Sequence, residues 1–363
     1  MEWAEGVVAS LGESWPGAQV CEVSTGAGPM TALAYTAMVG CPQPGERVLL
    51  NVAAVRRGLG TGGMAFVVAR IDGARPGPTS PSVGHIVKAR YTPQQQMFLA
   101  VDEQDSPHHD ALRGADSLGG MPVLVTDLHS ALPAIIAGVR TRRPQARVAY
   151  VMTEGGALPL SFSRTVAGLR EAGWIASTIT VGQAFGGDHE AVSIHTGLLA
   201  AHRVVAADLA VVIQGPGNVG TDTRWGFSGV ATVEALHAAH VLGGTPVAGL
   251  RVSGADRRER HRGISHHSRT AYGRALLAPA TIPVTRVVDT ELDALIRAQL
   301  DALVGSARAV LTVAEISPDG LQEALDSSPV PLSTMGRSLA EDPAGFVIAA
   351  ATGAWAAEVS ARP

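Results

Sequence analysis

The rhythm of hydrophobic and polar positions changes once along this chain, near residue 121. Before it, apolar residues come in short runs at 6–10, 18–23, 30–39, 47–52 and 64–71, separated by turn-forming stretches such as Gln43-Pro44-Gly45-Glu46. Five short strands in so short a length predict a small barrel over residues 1–72. Residues 73–84 are rich in Pro, Gly and Ser and read as a linker. Two more strand-like runs, 85–90 and 96–102, precede a polar stretch at 106–120.

From residue 121 strands and helices alternate. Strands are predicted at 122–126, 147–152, 175–181, 208–213, 246–252, 282–288 and 309–313. Helices are predicted at 130–140, 161–172, 188–205, 230–242, 265–277, 291–304, 320–325 and 341–359. Such alternation makes a parallel sheet covered on both faces. The expected fold class is α/β: a small N-terminal β-barrel-like domain, then a mostly parallel, doubly wound α/β domain over residues 85–363.

In a parallel sheet the loops that follow strands share one edge, and a ligand site is expected there. Polar residues gather in those loops. The first carries Asp127 and His129, the second Glu154, and the third Asp188, His189 and Glu190. In the fourth, the apolar run 210–213 breaks into Gly215, Pro216, Gly217 and Gly220, with Gln214, Asn218, Thr221, Asp222, Thr223 and Arg224 between and after them. Glycine lets backbone amides come close to a ligand, and the amides of such a turn can hold an anion. The fifth loop is the most charged part of the chain, with Arg257, Arg258, Arg260 and Arg262 beside His261, His266 and His267. Arginine forks suit phosphate and carboxylate groups, and a helix starting near Ser265 adds its positive end.

The expected ligand is therefore a small anion, bound by Gly215, Gly217, Asn218, Gly220, Thr221, Arg224, Arg257 and Arg260. Asp127, Glu154, Asp188 and Asp222 are the expected carboxylates for base chemistry, with His261 or His266 as the acid–base partner. The fourth and fifth loops follow strands that are consecutive in the chain, so they are expected to be neighbours on the edge.

Composition narrows the picture. A hydrophobic content of 46% and a formal net charge of −4 describe a globular protein without general nucleic-acid or membrane-surface binding. Cys21 and Cys41 make neither a disulfide framework nor a thiolate zinc site, and read as small buried hydrophobes. The opening Met1-Glu2-Trp3-Ala4-Glu5 lacks the basic start and apolar run of a secretory signal. The apolar stretch 344–357 is shorter than the ~20 residues a membrane span needs. A cytoplasmic protein is expected. The stretch 344–357 reads as a buried terminal helix, and its small residues also suggest a homodimer contact. Lys88, the sole lysine, reads as a solvated strand position on a face with Ile86 and Arg90.

Some motifs carry less than they first suggest. GPGNVG at 215–220 matches the dinucleotide fingerprint GxGxxG, but a helix should begin inside that motif and 221–229 is not helix-like. The lysine of a Walker A loop and the GxSxG elbow of a serine hydrolase are both missing. Asp127, His129, Asp188, His189, His266 and His267 are metal-ligand types, but none of their spacings is that of a metal site. The adjacent His266 and His267 should point apart on a helix, so no metal is expected. The sequence specifies no cofactor.

The stretches YVMTEGGALPL (150–160), GQAFGGD (182–188), QGPGNVGT (214–221), RWGFSG (224–229) and RERHRGISHH (258–267) resemble the bacterial family called domain of unknown function 3866. Residues 51–63 resemble its N-terminal part. The resemblance brings no reaction, substrate or catalytic residue with it, so function is read from the residues. That reading is an enzyme acting on a small anionic, phosphorylated or nucleotide-like metabolite, with hydrolase and transferase chemistry both open. The alternative is a non-catalytic ligand-sensing or assembly protein.

Overall fold

The structure, a computed structural model, describes residues 2–73 and 84–360. Apart from Gly73 and Gly84, the expected linker therefore lies outside the described residues. The chain divides into two compact units, Met1–Phe98 with Ser161–Ala167, and Leu99–Leu160 with Gly168–Pro363.

The first unit holds a closed barrel of β1 (Trp3–Trp15), β2 (Ala18–Thr25), β3 (Gly28–Tyr35), β4 (Arg47–Asn51) and β5 (Ala65–Arg70), in the order β1-β2-β3-β5-β4. Antiparallel pairing of β1 with β4 closes it, which removes the free strand edges. Val8, Val23, Val48, Leu50 and Val67 fill the interior, and their alternation with outward positions is the period-two rhythm of the sequence. Cys21 joins this core, as expected. Cys41 does not: it is exposed, in the loop directly after Gly40 (φ 76°).

A hairpin of β6 (Ile86–Lys88) and β7 (Gln96–Phe98) belongs to the same unit. Lys88 is fully buried, with 0% of its surface exposed. This corrects the solvated position expected from alternation. Alternation assumes a regular strand with one wet face. Here the strand stops at Lys88, and the left-handed residues Ala89 and Tyr91 (φ 48° and 61°) turn the chain away at once.

The second unit is built on one eight-stranded sheet. Its strands are β8 (Pro122–Val125), β9 (Val148–Thr153), β10 (Ser177–Val181), β11 (His189–Ala191), β12 (Leu209–Gln214), β13 (Thr245–Ala248), β16 (Ala280–Val284) and β17 (Leu311–Glu315). Two-residue strands β14 (Val252–Ser253) and β15 (Gly263–Ile264) pair separately, as a small hairpin. The sheet order is β11-β10-β9-β12-β8-β13-β16-β17, with every neighbour parallel. All carboxyl ends therefore lie on one edge. β8 and β12 are buried at every residue, which is why they read as unbroken apolar runs. The chain leaves β8 toward β9 and leaves β12 toward β13, in opposite directions along the sheet. The adjoining ends of β8 and β12 are thus the topological switch point, where doubly wound sheets open a crevice.

Among the described residues, the α-helices longer than one turn of four residues are α1 (Leu132–Arg142), α2 (Arg164–Glu171), α3 (Ile194–Arg203), α4 (Thr232–Val241), α5 (His266–Thr270), α6 (Thr290–Ser306), α7 (Leu321–Asp326) and α8 (Pro343–Ser360). The helix expected at 188–205 begins later. Residues 189–191 pair with β10 as an edge strand, and α3 starts only after Ser193, whose hydroxyl caps the amide of Thr196. α8 packs against α1 at backbone contact. A Cβ on Gly138 would stand 1.8 Å from the Ala350 carbonyl oxygen, and one on Gly353 1.9 Å from that of Ile135. The alanine-rich run 344–357 is therefore buried within its own chain, which removes the surface on which the homodimer expectation rested. Among the described residues, no helix is long and apolar enough to cross a membrane.

Candidate functional site

At the carboxyl end of β8, Asp127 is buried and surrounded by donors. His267 Nδ1 lies 2.9 Å from its Oδ2, Asn218 donates to the same oxygen from 3.2 Å, and Arg251 NH1 is 3.4 Å away. Burial by itself raises the pKa of this carboxyl. The hydrogen bond from His267 and the Arg251 charge outweigh it and hold the group below the usual carboxylate range. The space for it comes from Gly229, where a Cβ would meet the Asp127 Cβ at 2.6 Å.

The loop after β13 supplies the histidines. The β14–β15 hairpin folds it back on itself, so that Ser265 N donates to Arg251 O and Arg251 N donates to Ser268 Oγ. His261, His266 and His267 then come together, with ring centroids 4.9, 5.2 and 4.5 Å apart for the pairs 261–266, 261–267 and 266–267. One ring nitrogen from each lies within 4.8 Å of the others. This corrects the expectation that His266 and His267 point apart. Both stand in the first turn of α5, directly after its cap Ser265, where no preceding helical turn restricts their rotamers. Phe227 stacks on His267, centroids 4.0 Å apart and planes 11° from parallel.

Burial, reinforced by the charges of Arg251 and Arg258, pushes His261 down to about 3. Burial with His267 and Arg260 pushes His266 down to about 4. Both imidazoles are therefore neutral at pH 7, with a lone pair each. His261 Nδ1 is 2.8 Å from Ser265 Oγ. His267 Nδ1 is also 3.0 Å from Arg251 NH1. An arginine can only donate, so a proton on Nδ1 directed at Asp127 leaves Arg251 to bind the carboxylate instead. Arg260 is ion-paired with Asp222 and Arg258 with Asp256. Among the described residues, the Nε atoms of Arg260 and Arg269 are buried without a hydrogen-bond partner.

The fourth loop meets the fifth, but not because their strands adjoin. β8 lies between β12 and β13, so Asp127 stands between the two loops and bonds to both. Gln214 at the end of β12 donates to Asp127 O from 3.1 Å and to Asn218 Oδ1 from 2.5 Å. The glycines serve mainly the loop itself. A Cβ on Gly215 would stand 2.2 Å from the Ala157 carbonyl oxygen, and its amide donates to Thr153 O. Gly217 adopts φ 101° facing open space, and Gly220 bridges to Phe227. Thr221 is bonded to Thr223 and Gly226. Asp222, Arg224 and Arg257 are exposed on the same two loops.

Glu154 lies further along the edge, accepting the Gln183 amide at 2.5 Å. With Gln214, Ser193, Thr232 and Glu234 it lines a cavity of about 360 Å³. Gln214 joins this cavity to the Asp127 centre. Asp188 is not at the site and corrects its assignment there. It precedes β11, at the amino end of that strand, and its carboxylate is occupied by Thr178 N and Oγ1, Ser177 Oγ and Arg170. Burial raises its pKa, and the Thr178 amide and the Arg170 charge more than reverse the effect. Its role is to tie the start of β10. Phe227 and Arg251 are the site residues that sequence reasoning missed; Gln214, Ser265 and His267 were noted there but not assigned to binding or catalysis.

The fold and the site define a doubly wound α/β protein with an aspartate-anchored histidine cluster at its topological switch point. The chain belongs to the family described as Protein of unknown function (DUF3866), whose model matches residues 31–353. No curated protein and no solved structure matches the chain.

Proposed function

We propose that the chain is an enzyme acting on a small anionic metabolite, held beside Asp127 and the three imidazoles. One observation carries this reading: the buried Nε donors of Arg260 and Arg269 have no protein acceptor among the described residues. A buried donor left without an acceptor costs about 1–3 kcal/mol, which a bound carboxylate or phosphate oxygen recovers. Both guanidiniums are close enough to His266 to hold its pKa down, so an anion on them lies next to the cluster. Arg224 and Arg257 add exposed positive charge on the same loops. The cavity lined by Glu154, Gln214 and Thr232 suits an uncharged, hydroxyl-bearing part of the metabolite. The Asp127–His267 pair, a carboxylate holding an imidazole, is the arrangement that can pass a proton, which serves hydrolysis and group transfer alike.

The test is calorimetry and thermal shift against a panel of phosphorylated and carboxylated metabolites, followed by mass spectrometry for product. A binding anion raises the melting temperature of the folded form. Arg260→Gln with Arg269→Gln removes that shift, and Asp127→Asn keeps binding but loses turnover. A panel in which no anion binds overturns the reading. Binding without turnover of any bound ligand gives the sensing alternative instead.

A further inference from the structure

We propose that His261, His266 and His267 form a binding site for a single divalent first-row transition-metal ion, with Asp127 and Ser265 as the residues that position its ligands. The three rings offer one nitrogen each within 4.8 Å of one another. A tetrahedral ion with metal–nitrogen bonds of about 2.0–2.1 Å holds its ligands about 3.3 Å apart, which small rotations of three adjoining rings supply. Three imidazoles leave one coordination position for water or substrate, the pattern of catalytic rather than structural sites.

The surroundings leave one ring nitrogen open on two of the three histidines. His267 Nδ1 is engaged by Asp127 Oδ2 at 2.9 Å, so Nε2 is its free atom. His261 Nδ1 is engaged by Ser265 Oγ at 2.8 Å, again leaving Nε2. No hydrogen bond holds the His266 ring among the described residues. A carboxylate or hydroxyl behind a ligating histidine sets its tautomer and strengthens its lone pair. Three rings merely packed edge to face would need neither the carboxylate behind His267 nor the hydroxyl beside His261.

The nearby arginines weigh against a cation and must be answered. Arg251, Arg258 and Arg260 each have a carboxylate partner, in Asp127, Asp256 and Asp222. Arg269 remains, and an anion in the fourth coordination position offsets it. The site also selects its metal. Imidazole nitrogens suit zinc, cobalt, nickel, copper or iron, whereas magnesium and calcium require oxygen ligands.

The inference rests on the proposed function only for the anion in the fourth position; the metal site itself is tested without turnover. Chelator-treated full-length protein is titrated with zinc by calorimetry and with cobalt by visible absorption. One ion per chain and the intense bands of low-coordinate cobalt are expected, with no response to magnesium. His266→Gln and His267→Gln should each weaken zinc binding by about 100-fold or more, and Asp127→Asn by about 10–100-fold. His108→Gln, which alters a separate pair of rings 5.5 Å from centroid to centroid with His189, should change nothing. Circular dichroism of each zinc-free variant reports whether it is folded, and His266, only half-buried, is the variant expected to stay so. Wild type that binds no zinc overturns the site, as does a folded His266→Gln that binds it unchanged. Zinc binding without any binding anion keeps the site and removes the proposed function; anion binding without zinc does the reverse.

Discussion

Oδ2 of Asp127 lies 2.9 Å from Nδ1 of His267, across 140 residues of chain, and Arg251 NH1 reaches the same oxygen. Truncating one member of such a buried pair strands the other charge. Asp127→Ala is expected to cost about 3–5 kcal/mol in urea unfolding. Adding Arg251→Met removes the stranded charge and should recover most of that loss. A double variant no more stable than Asp127→Ala would show that the arginine charge is not what the carboxylate offsets.

His129 gives stability a pH dependence. Burial pushes it down to about 4, whereas in the unfolded chain it titrates near 6.5. Between these values the unfolded chain binds the proton and the folded one does not, so stability falls as the pH drops, by about 1.4 kcal/mol per unit. Above about 6.5 the effect is absent. His129→Gln should flatten the slope by that amount. Other buried histidines act in the same direction, so the measurement is the difference between two pH series of unfolding free energy. Parallel slopes would contradict it.

Where α1 and α8 touch, a single methyl group has no room. Gly138→Ala and Gly353→Ala should each destabilise the fold by about 3 kcal/mol or more, because the obstacle is backbone and cannot rotate away. Gly305→Ala on α6 is the control. Its Cβ meets nothing, and alanine is the better helix former, so the melting temperature should stay or rise.

Lys88 should resist reagents that modify amines. Reductive methylation of native protein is expected to leave it unmodified, and the same treatment in denaturant should label it fully. Peptide mass spectrometry reads both. Labelling of native protein at the rate of a free lysine peptide would mean that the side chain is not buried as described.

The sequence revealed the two-part architecture because both rhythms in it have simple causes. Alternating residues such as Val48 and Leu50 line a barrel, and the continuous runs of β8 and β12 are strands buried on both faces. Asp127, His261 and His266 were legible as strand-edge polar residues. Asp188 misled, because a loop residue can belong to the opposite edge when it begins the next strand. The histidine cluster was hidden, because ligand spacing rules assume regular helix or strand geometry. Here a hairpin and a first helical turn bring the rings together. Arg251 was hidden by its place at the end of an apolar run, where nothing local announces a partner 124 residues away.

Chain order and space disagree at the middle of the sheet, where β12 sits between β9 and β8. Until residue 214 has been synthesised, the strand that carries Asp127 has neither of its final neighbours, since β13 comes later still. The switch-point crevice therefore cannot exist before β12 has taken its place between β9 and β8. A truncated or stalled chain can hold its first three sheet strands and still contain no site. Ligand binding beside Asp127, or metal binding on the imidazoles next to it, would thus report that the central strands β12, β8 and β13 are in place, and the bound form would be the one least prone to expose that central slot to another chain.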